Sequence, residues 1–217
     1  MIRLTKLPLP NDVADAIQER TNKAQGHLAA GEEIPEALDK QYRHPEVKAL
    51  LKKETHEKCA YCESKITAVY WGDVEHIEPK ALRPELTFDY SNLTLACAVC
   101  NNGKRTYSSA TIPLLNPYVD DPATFLVAVG PMVKGKPGEQ RGMAAETVLK
   151  LNRKELLERR HDHLQRISHL VNAYGAERDL ARRDLLRMQL DAETEDDREY
   201  AFATRCYIAF MLEVADP

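Results

Sequence analysis

Two Cys-x-x-Cys pairs constrain this chain more than any other feature. Cys59 and Cys62 form the first pair, Cys97 and Cys100 form the second, and 34 residues lie between them. Each pair presents two sulfurs from one tight turn, and two such turns match a tetrahedral four-thiolate zinc site. A zinc ion held by four thiolates has no open coordination position, so this spacing predicts a structural site. The weaker alternative is four ordinary buried cysteines.

The composition is that of a globular chain in a reducing compartment. The 217 residues predict one or two domains, and a hydrophobic content of 43% is enough for a packed core. We expect no secretory leader and no transmembrane segment, because no long apolar run is found. Cysteines without a leader favour metal binding over disulfides and a cytoplasmic location. With a net charge of −4, the chain as a whole is not basic. A nucleic-acid substrate would therefore need a local basic patch or a partner.

The N-terminal half predicts helices followed by a small sheet. Helical patterns cover residues 11–25 and a stretch opening at Pro45 that leads to Cys59. Residues 66–71 are rich in β-branched and aromatic side chains and predict a strand, with a turn at 72–73 and a second strand at 74–77. A helix is expected from Asn101 to Tyr107.

The C-terminal half predicts a strand, a loop and then helices. Residues 124–129 form the expected strand, and the Gly/Pro-rich stretch 130–142 predicts a loop or a hairpin with a wide turn. Helical periodicity begins at Met143 and is interrupted at Gly175, and Thr194 is expected to cap a last helix. The fold class is α+β, a zinc-stapled ββα core with helices on both sides. We predict three regions, 1–58, 59–110 and 111–217, the last being suited to docking a partner.

Glu75 and His76 supply the residue types that metal-dependent hydrolysis needs. A carboxylate holds a hard cation, and a neighbouring histidine takes a proton from water. The pair lies in the segment EHIEP (75–79), followed by Asn-Leu at 92–93 and CAVCN at 97–101. These motifs resemble the HNH (ββα-metal) endonucleases, in the subclass stapled by four cysteines.

The resemblance implies a role for each motif residue. His76 would be the general base, and Glu75 would bind a catalytic Mg²⁺ or Mn²⁺ ion in place of the commoner Asp. Asn92 would orient the His76 region through backbone hydrogen bonds. Asn101 would be the second ligand, with Asn102 as its rival. The four-cysteine zinc would be structural and separate.

Other polar and aromatic residues have simpler expectations. Lys80, Arg83 and Lys104 are candidate nucleic-acid contacts, weighed against plain solvation or a place on a helix face. Trp71 and Cys206 are expected in the core, Trp71 rather than serving as a base-stacking platform. His161 and His163 are expected to be solvated.

Less specific motifs extend the resemblance beyond the HNH core. The segments EHIEPK, CNNGK, LLNPYVDDP (114–122) and LNRKELLERR (151–160) are similar to the PtuB group, the HNH effectors of Septu and retron-type antiviral systems. That resemblance implies an ABC-type ATPase partner, PtuA, and a nucleic-acid substrate, with DNA favoured over RNA. Two alternatives remain open: an RNA-directed nuclease of the same fold, and a non-catalytic zinc-binding adaptor.

Overall fold

The computed structural model describes residues 1–66 and 70–215, with side chains through residue 213. An extended N-terminal stretch leads into three helices, α1 (Asn11–Ala29), α2 (Glu36–Asp39) and α3 (Pro45–Glu54). Helix α1 runs past its expected end and through Gly26, which is solvent-exposed. A glycine inside a helix costs only about 1 kcal/mol, which the rest of the helix outweighs. Helix α3 begins at Pro45 as expected, with His44 accepting a hydrogen bond from the Glu46 amide.

A two-stranded sheet and one helix form the centre of the chain. Strand β1 (Asp73–His76) pairs antiparallel with β2 (Leu93–Ala96), and helix α4 (Ala98–Lys104) follows. The expected pairing of 66–71 with 74–77 is therefore wrong. Thr67, Ala68 and Val69 lie outside the described residues, and the flanking residues 66, 70 and 71 are not in a strand. Gly72 has a positive φ of 71°, which interrupts the extended chain after residue 71, and β1 begins at Asp73, one residue before the strand expected at 74–77.

A hairpin follows the central unit. A short helix α5 (Pro122–Phe125) precedes β3 (Leu126–Val129), which pairs with β4 (Met132–Gly135). The expected strand starts later than Thr124 because Asp121 caps α5 by accepting from the Ala123 amide at 3.0 Å. The connection is tighter than the wide turn expected, since Val129 pairs directly with Met132.

Helices α6 (Gln140–Val148), α7 (Lys154–Ala176), α8 (Leu180–Glu193) and α9 (Ala201–Ala215) follow in the described part of the chain. The sequence predicted that Thr194 caps the last helix, but it does not. Its hydroxyl donates to the Asp191 carbonyl at 2.6 Å and so closes α8. Lys58 donates to the Arg198 carbonyl at 2.7 Å, which holds this segment in a turn until α9 begins.

One buried core joins the centre of the chain to its ends. Leu93 and Leu95 of β2 pack in the same cluster as Leu51 of α3 and Ala201 of α9. A second cluster lies between α7, α8 and α9. The division into three regions stays a prediction. Within the described residues, no helix is long and apolar enough to cross a membrane.

Four side chains have surroundings that the sequence had predicted, and two of the four differ from the prediction. Cys206 is partly buried and packs against the main core. His163 was expected to be solvated but is buried, and its Nε2 lies 2.9 Å from the Thr204 hydroxyl. His161 is exposed, as expected. Trp71, expected in the core, is 77% exposed.

Candidate active site

The four paired cysteines come together as the spacing predicts. Their sulfurs all lie within 4.8 Å of one another, and the Cys62 and Cys97 sulfurs are 3.9 Å apart. A tetrahedral zinc ion with bonds of about 2.3 Å needs sulfurs about 3.8 Å apart, so the donor set fits zinc. The second turn is ordered by its own backbone, because the Cys100 amide donates to the Cys97 sulfur at 3.4 Å. These four residues could hold a structural zinc ion.

Arg153, which the sequence analysis did not single out, lies against this cluster. Its guanidinium nitrogens are 3.7 Å from the Cys62 sulfur, 3.8 Å from Cys100 and 3.9 Å from Cys97. Burial alone would lower the pKa of Arg153, but the cysteine sulfurs outweigh it and raise the pKa. A zinc ion with four thiolates carries a net charge of −2, and Arg153 offsets part of it. No local sequence signal connects Arg153 with cysteines so distant along the chain.

His76 is buried at the end of β1 in a defined orientation. Its Nε2 lies 3.0 Å from the Thr87 carbonyl oxygen, and its ring packs edge-on against Tyr42 with centroids 4.4 Å apart. A carbonyl oxygen can only accept, so Nε2 carries the proton and Nδ1 keeps the lone pair. Burial lowers the pKa of His76 to about 4. The ring is therefore a neutral proton acceptor at pH 7.

Glu75, the neighbouring residue, is held by a buried lysine. Lys104 donates to Glu75 Oε1 and to the His76 carbonyl, each at 2.7 Å. Burial raises the pKa of Glu75, and Lys104 opposes that rise. This placement corrects the expectation for Lys104 as a nucleic-acid contact. Its side chain is only 1% exposed, because helix α4 directs it under β1.

Asn92 makes the backbone contacts expected of it. Its Oδ1 accepts from the Glu78 amide at 2.7 Å, and its Nδ2 donates to the Glu78 carbonyl at 3.0 Å. The Ile77 amide also donates to the Asn92 carbonyl at 2.8 Å. These bonds tie the segment after His76 to the end of the loop that returns to β2. A catalytic consequence of this contact stays a prediction.

Asn101 reaches β1 through a carboxylate that the sequence analysis missed. Its Nδ2 donates to Asp73 Oδ2 at 3.0 Å, which leaves Oδ1 available to a cation. Asp73 and Glu75 are two residues apart on a strand and therefore share one face. That alternation was the signal that could have identified Asp73. The rival Asn102 is exposed on α4.

Most of the candidate catalytic residues line one open cleft of about 620 Å³. Its wall includes Asp73, Glu75, His76, Asn101 and Lys104, and it also includes cationic and aromatic residues: Arg43, Lys48, Lys80, Arg105, Tyr42, Tyr70 and Trp71. The Lys80 ammonium group forms a salt bridge with Asp39 of α2.

Arg83 is not brought to this cleft. It lines a separate depression and pairs with Glu78 at 3.1 Å.

The family comparison agrees with this geometry. Residues 59–106 match the family model described as HNH endonuclease. The chain contains an HNH domain. The matched residues include both cysteine pairs, β1, β2, α4 and the candidate site residues Glu75, His76, Asn92 and Asn101.

Two curated relatives extend the likeness beyond the HNH domain. A Septu protein PtuB from Bacillus thuringiensis is 30% identical over 152 residues, covering 70% of this chain and 56% of that protein. A Septu protein PtuB from Bacillus mycoides (strain KBAB4) is 31% identical over 150 residues, covering 55% of this chain and 51% of that protein. The chain thus spans about half the length of these relatives.

Proposed function

We propose that the HNH domain hydrolyses phosphodiester bonds in nucleic acid with the help of a divalent metal ion. The observation that carries this proposal is the placement of His76. Its Nε2 is engaged by the Thr87 carbonyl, and it lines the same cleft as Asp73 and Glu75. An oriented imidazole in a cleft with carboxylates suits the generation of a nucleophile from water, and burial lowers the pKa of His76, which favours the neutral ring.

The oxygen donors of the cleft fit a hard cation such as Mg²⁺ or Mn²⁺. Glu75 and Asn101 would hold it, with Asp73 beside them as a further carboxylate, and all three present oxygen atoms. When bound, such an ion stabilises negative charge on the phosphate and on the leaving oxygen. Lys104 favours the ionised form of Glu75.

His76 performs the proton transfer in this scheme. Its Nδ1 takes a proton from the attacking water while Nε2 continues to donate to Thr87. The same carbonyl then faces a positively charged ring, which it stabilises as an acceptor. Asn92 holds the backbone immediately after His76 and so keeps the imidazole at one position.

We further propose that this nuclease acts on DNA as the effector of a Septu-type antiviral complex. Support comes from the two relatives named Septu protein PtuB. The partner would be an ABC-type ATPase like PtuA, supplying much of the grip on the substrate that a chain of net charge −4 lacks. The cytoplasm, where thiols stay reduced, is the compartment we propose.

Cleavage of supercoiled plasmid and of single-stranded RNA tests the function. Purified chain, alone and with its ATPase, is incubated with Mg²⁺, with Mn²⁺ or with neither, and its zinc content is measured in parallel. We expect plasmid cleavage that requires added divalent ion. If the protein cuts RNA but not plasmid DNA, RNA and not DNA is the substrate. A zinc-loaded chain that binds the ATPase and cuts neither polymer would support the adaptor instead.

A further inference from the structure

Trp71 is a large aromatic side chain displayed at the candidate active site. It is 77% exposed and lines the same cleft as His76. An indole of this size normally gains free energy by burial, and in a cleft that also contains the proposed base its open face can be covered by a ligand. The neighbouring Tyr70 is 41% exposed and lines the cleft as well.

The backbone that carries Trp71 is fixed on the sheet. Gly72 has a φ of +71°, and a Cβ at this position would lie 2.8 Å from a methyl carbon of Leu95 in β2. The Tyr70 hydroxyl donates to Asp73 Oδ1 at 2.5 Å. Trp71 is therefore presented between two anchored neighbours, and its open surface is held at the cleft.

Unpaired cations accompany the indole. Lys52 of α3 places its ammonium group 5.6 Å from the centre of the Trp71 ring. Arg43, Lys48 and Arg105 line the cleft. Among the described side chains, none of these four cations forms a salt bridge. Exposed aromatic rings interleaved with free positive charges are typical of surfaces that bind single-stranded nucleic acid.

We propose that Trp71 stacks on an unpaired nucleobase of the substrate, while Lys48 and Lys52 contact its phosphates. The inference builds on the proposed nuclease function, since it places the strand to be cut along α3 and into the cleft that contains His76. An unpaired base has an open face for the indole, whereas a base inside a duplex does not. The platform therefore favours single-stranded or locally opened nucleic acid, DNA or RNA.

The chain contains one tryptophan, so its fluorescence reports on this position alone. Wild-type protein, without added Mg²⁺ or Mn²⁺ so that no strand is cut, is titrated with oligo(dT), oligo(rU) and a blunt DNA duplex. Binding is followed in parallel by anisotropy of end-labelled oligonucleotide. We expect the single strands to quench Trp71 emission, and to do so more strongly than the duplex. The ratio of the two single-strand affinities separates DNA from RNA.

Variants test the platform without relying on the fluorescence signal. By anisotropy, Trp71→Ala should weaken single-strand binding about tenfold, within the range measured for stacked bases. Trp71→Phe should keep most of the affinity, because the benzyl ring still offers a π-face. Leu180→Ala is the matched control, an exposed apolar side chain on α8 outside the cleft lining. It should bind like the wild type.

The inference is wrong if oligonucleotides do not bind, if they bind with unchanged Trp71 emission, or if Trp71→Ala binds as tightly as Leu180→Ala. Plasmid cleavage by the same preparation separates the two claims. Cutting with an unresponsive Trp71 would remove the platform and leave the nuclease. Quenching by single strands, without cutting in any divalent ion or with the ATPase, would remove the nuclease and leave a nucleic-acid binding site.

Discussion

The Lys104 ammonium group donates to Glu75 Oε1 and to the carbonyl oxygen of His76, at 2.7 Å each. One buried cation on α4 thus fixes two consecutive residues of β1, the proposed ligand and the proposed base. It also counters the burial that raises the pKa of Glu75. Lys104 joins the helix to the strand on which the proposed chemistry depends.

Replacing Lys104 should therefore destabilise the fold. In Lys104→Met, Glu75 loses its charged partner and stays buried, and breaking such a pair costs about 3–5 kcal/mol. The free energy of unfolding in urea measures this loss. Lys53→Met, an exposed lysine on α3, is the control and should change stability by less than about 0.5 kcal/mol. Equal stability of the two variants would contradict a structural role for the ion pair.

Replacing Asn92 should impair both stability and cleavage. Asn92→Ala removes both partly buried hydrogen bonds to the Glu78 backbone, each worth about 0.5–1.5 kcal/mol. Asn92→Asp keeps the acceptor and loses the donor, so its stability and cleavage rate should lie between those of the wild type and Asn92→Ala. Urea unfolding and plasmid cleavage are measured on the same zinc-loaded preparations. Wild-type activity in Asn92→Ala would show that His76 needs no such support.

Removing Arg153 should loosen the zinc cluster without dismantling it. Arg153→Gln removes the positive charge 3.7–3.9 Å from three sulfurs, and changes to such supporting groups weaken metal binding by about 10–100-fold. Zinc release to a chromogenic chelator gives the rate. Lys154→Gln, at the next residue with a side chain 83% exposed, should release zinc at the wild-type rate. Indistinguishable rates for the two variants would rule out this role for Arg153.

Much of the site could be predicted because its motif residues lie at characteristic spacings along the chain. Cys-x-x-Cys turns need only their own spacing, and Glu75-His76 precedes a proline that ends the strand. The partner of β1 could not be predicted, since adjacent residues 66–71 carry stronger strand composition than 93–96. Trp71 and His163 were also misjudged. Burial of a side chain depends on which element packs over it, and Thr204 of α9 lies far from His163 in the sequence.

The buried state of His76 predicts a pH dependence of stability. Its pKa falls from about 6.5 in the unfolded chain to about 4 in the folded chain, so between these values the unfolded chain binds more protons. Stability is therefore lost as pH falls from 6.5 towards 4, by at most about 3 kcal/mol for this group. His76→Gln lacks the titrating ring and should lose correspondingly less between pH 7 and pH 4.5 in urea unfolding. Parallel losses in both proteins would contradict the burial of a neutral imidazole.

The most direct measurement is the single-turnover rate of plasmid cleavage in saturating Mn²⁺ for wild type, His76→Ala and His169→Ala, using the chain or its ATPase complex. His169 is an exposed histidine of α7 and lies outside the cleft lining. Loss of a general base costs about 10²–10⁴-fold, so His76→Ala should be slower by that factor with unchanged zinc content, and His169→Ala should cut like the wild type. Cleavage by zinc-loaded His76→Ala at the wild-type rate would contradict the account.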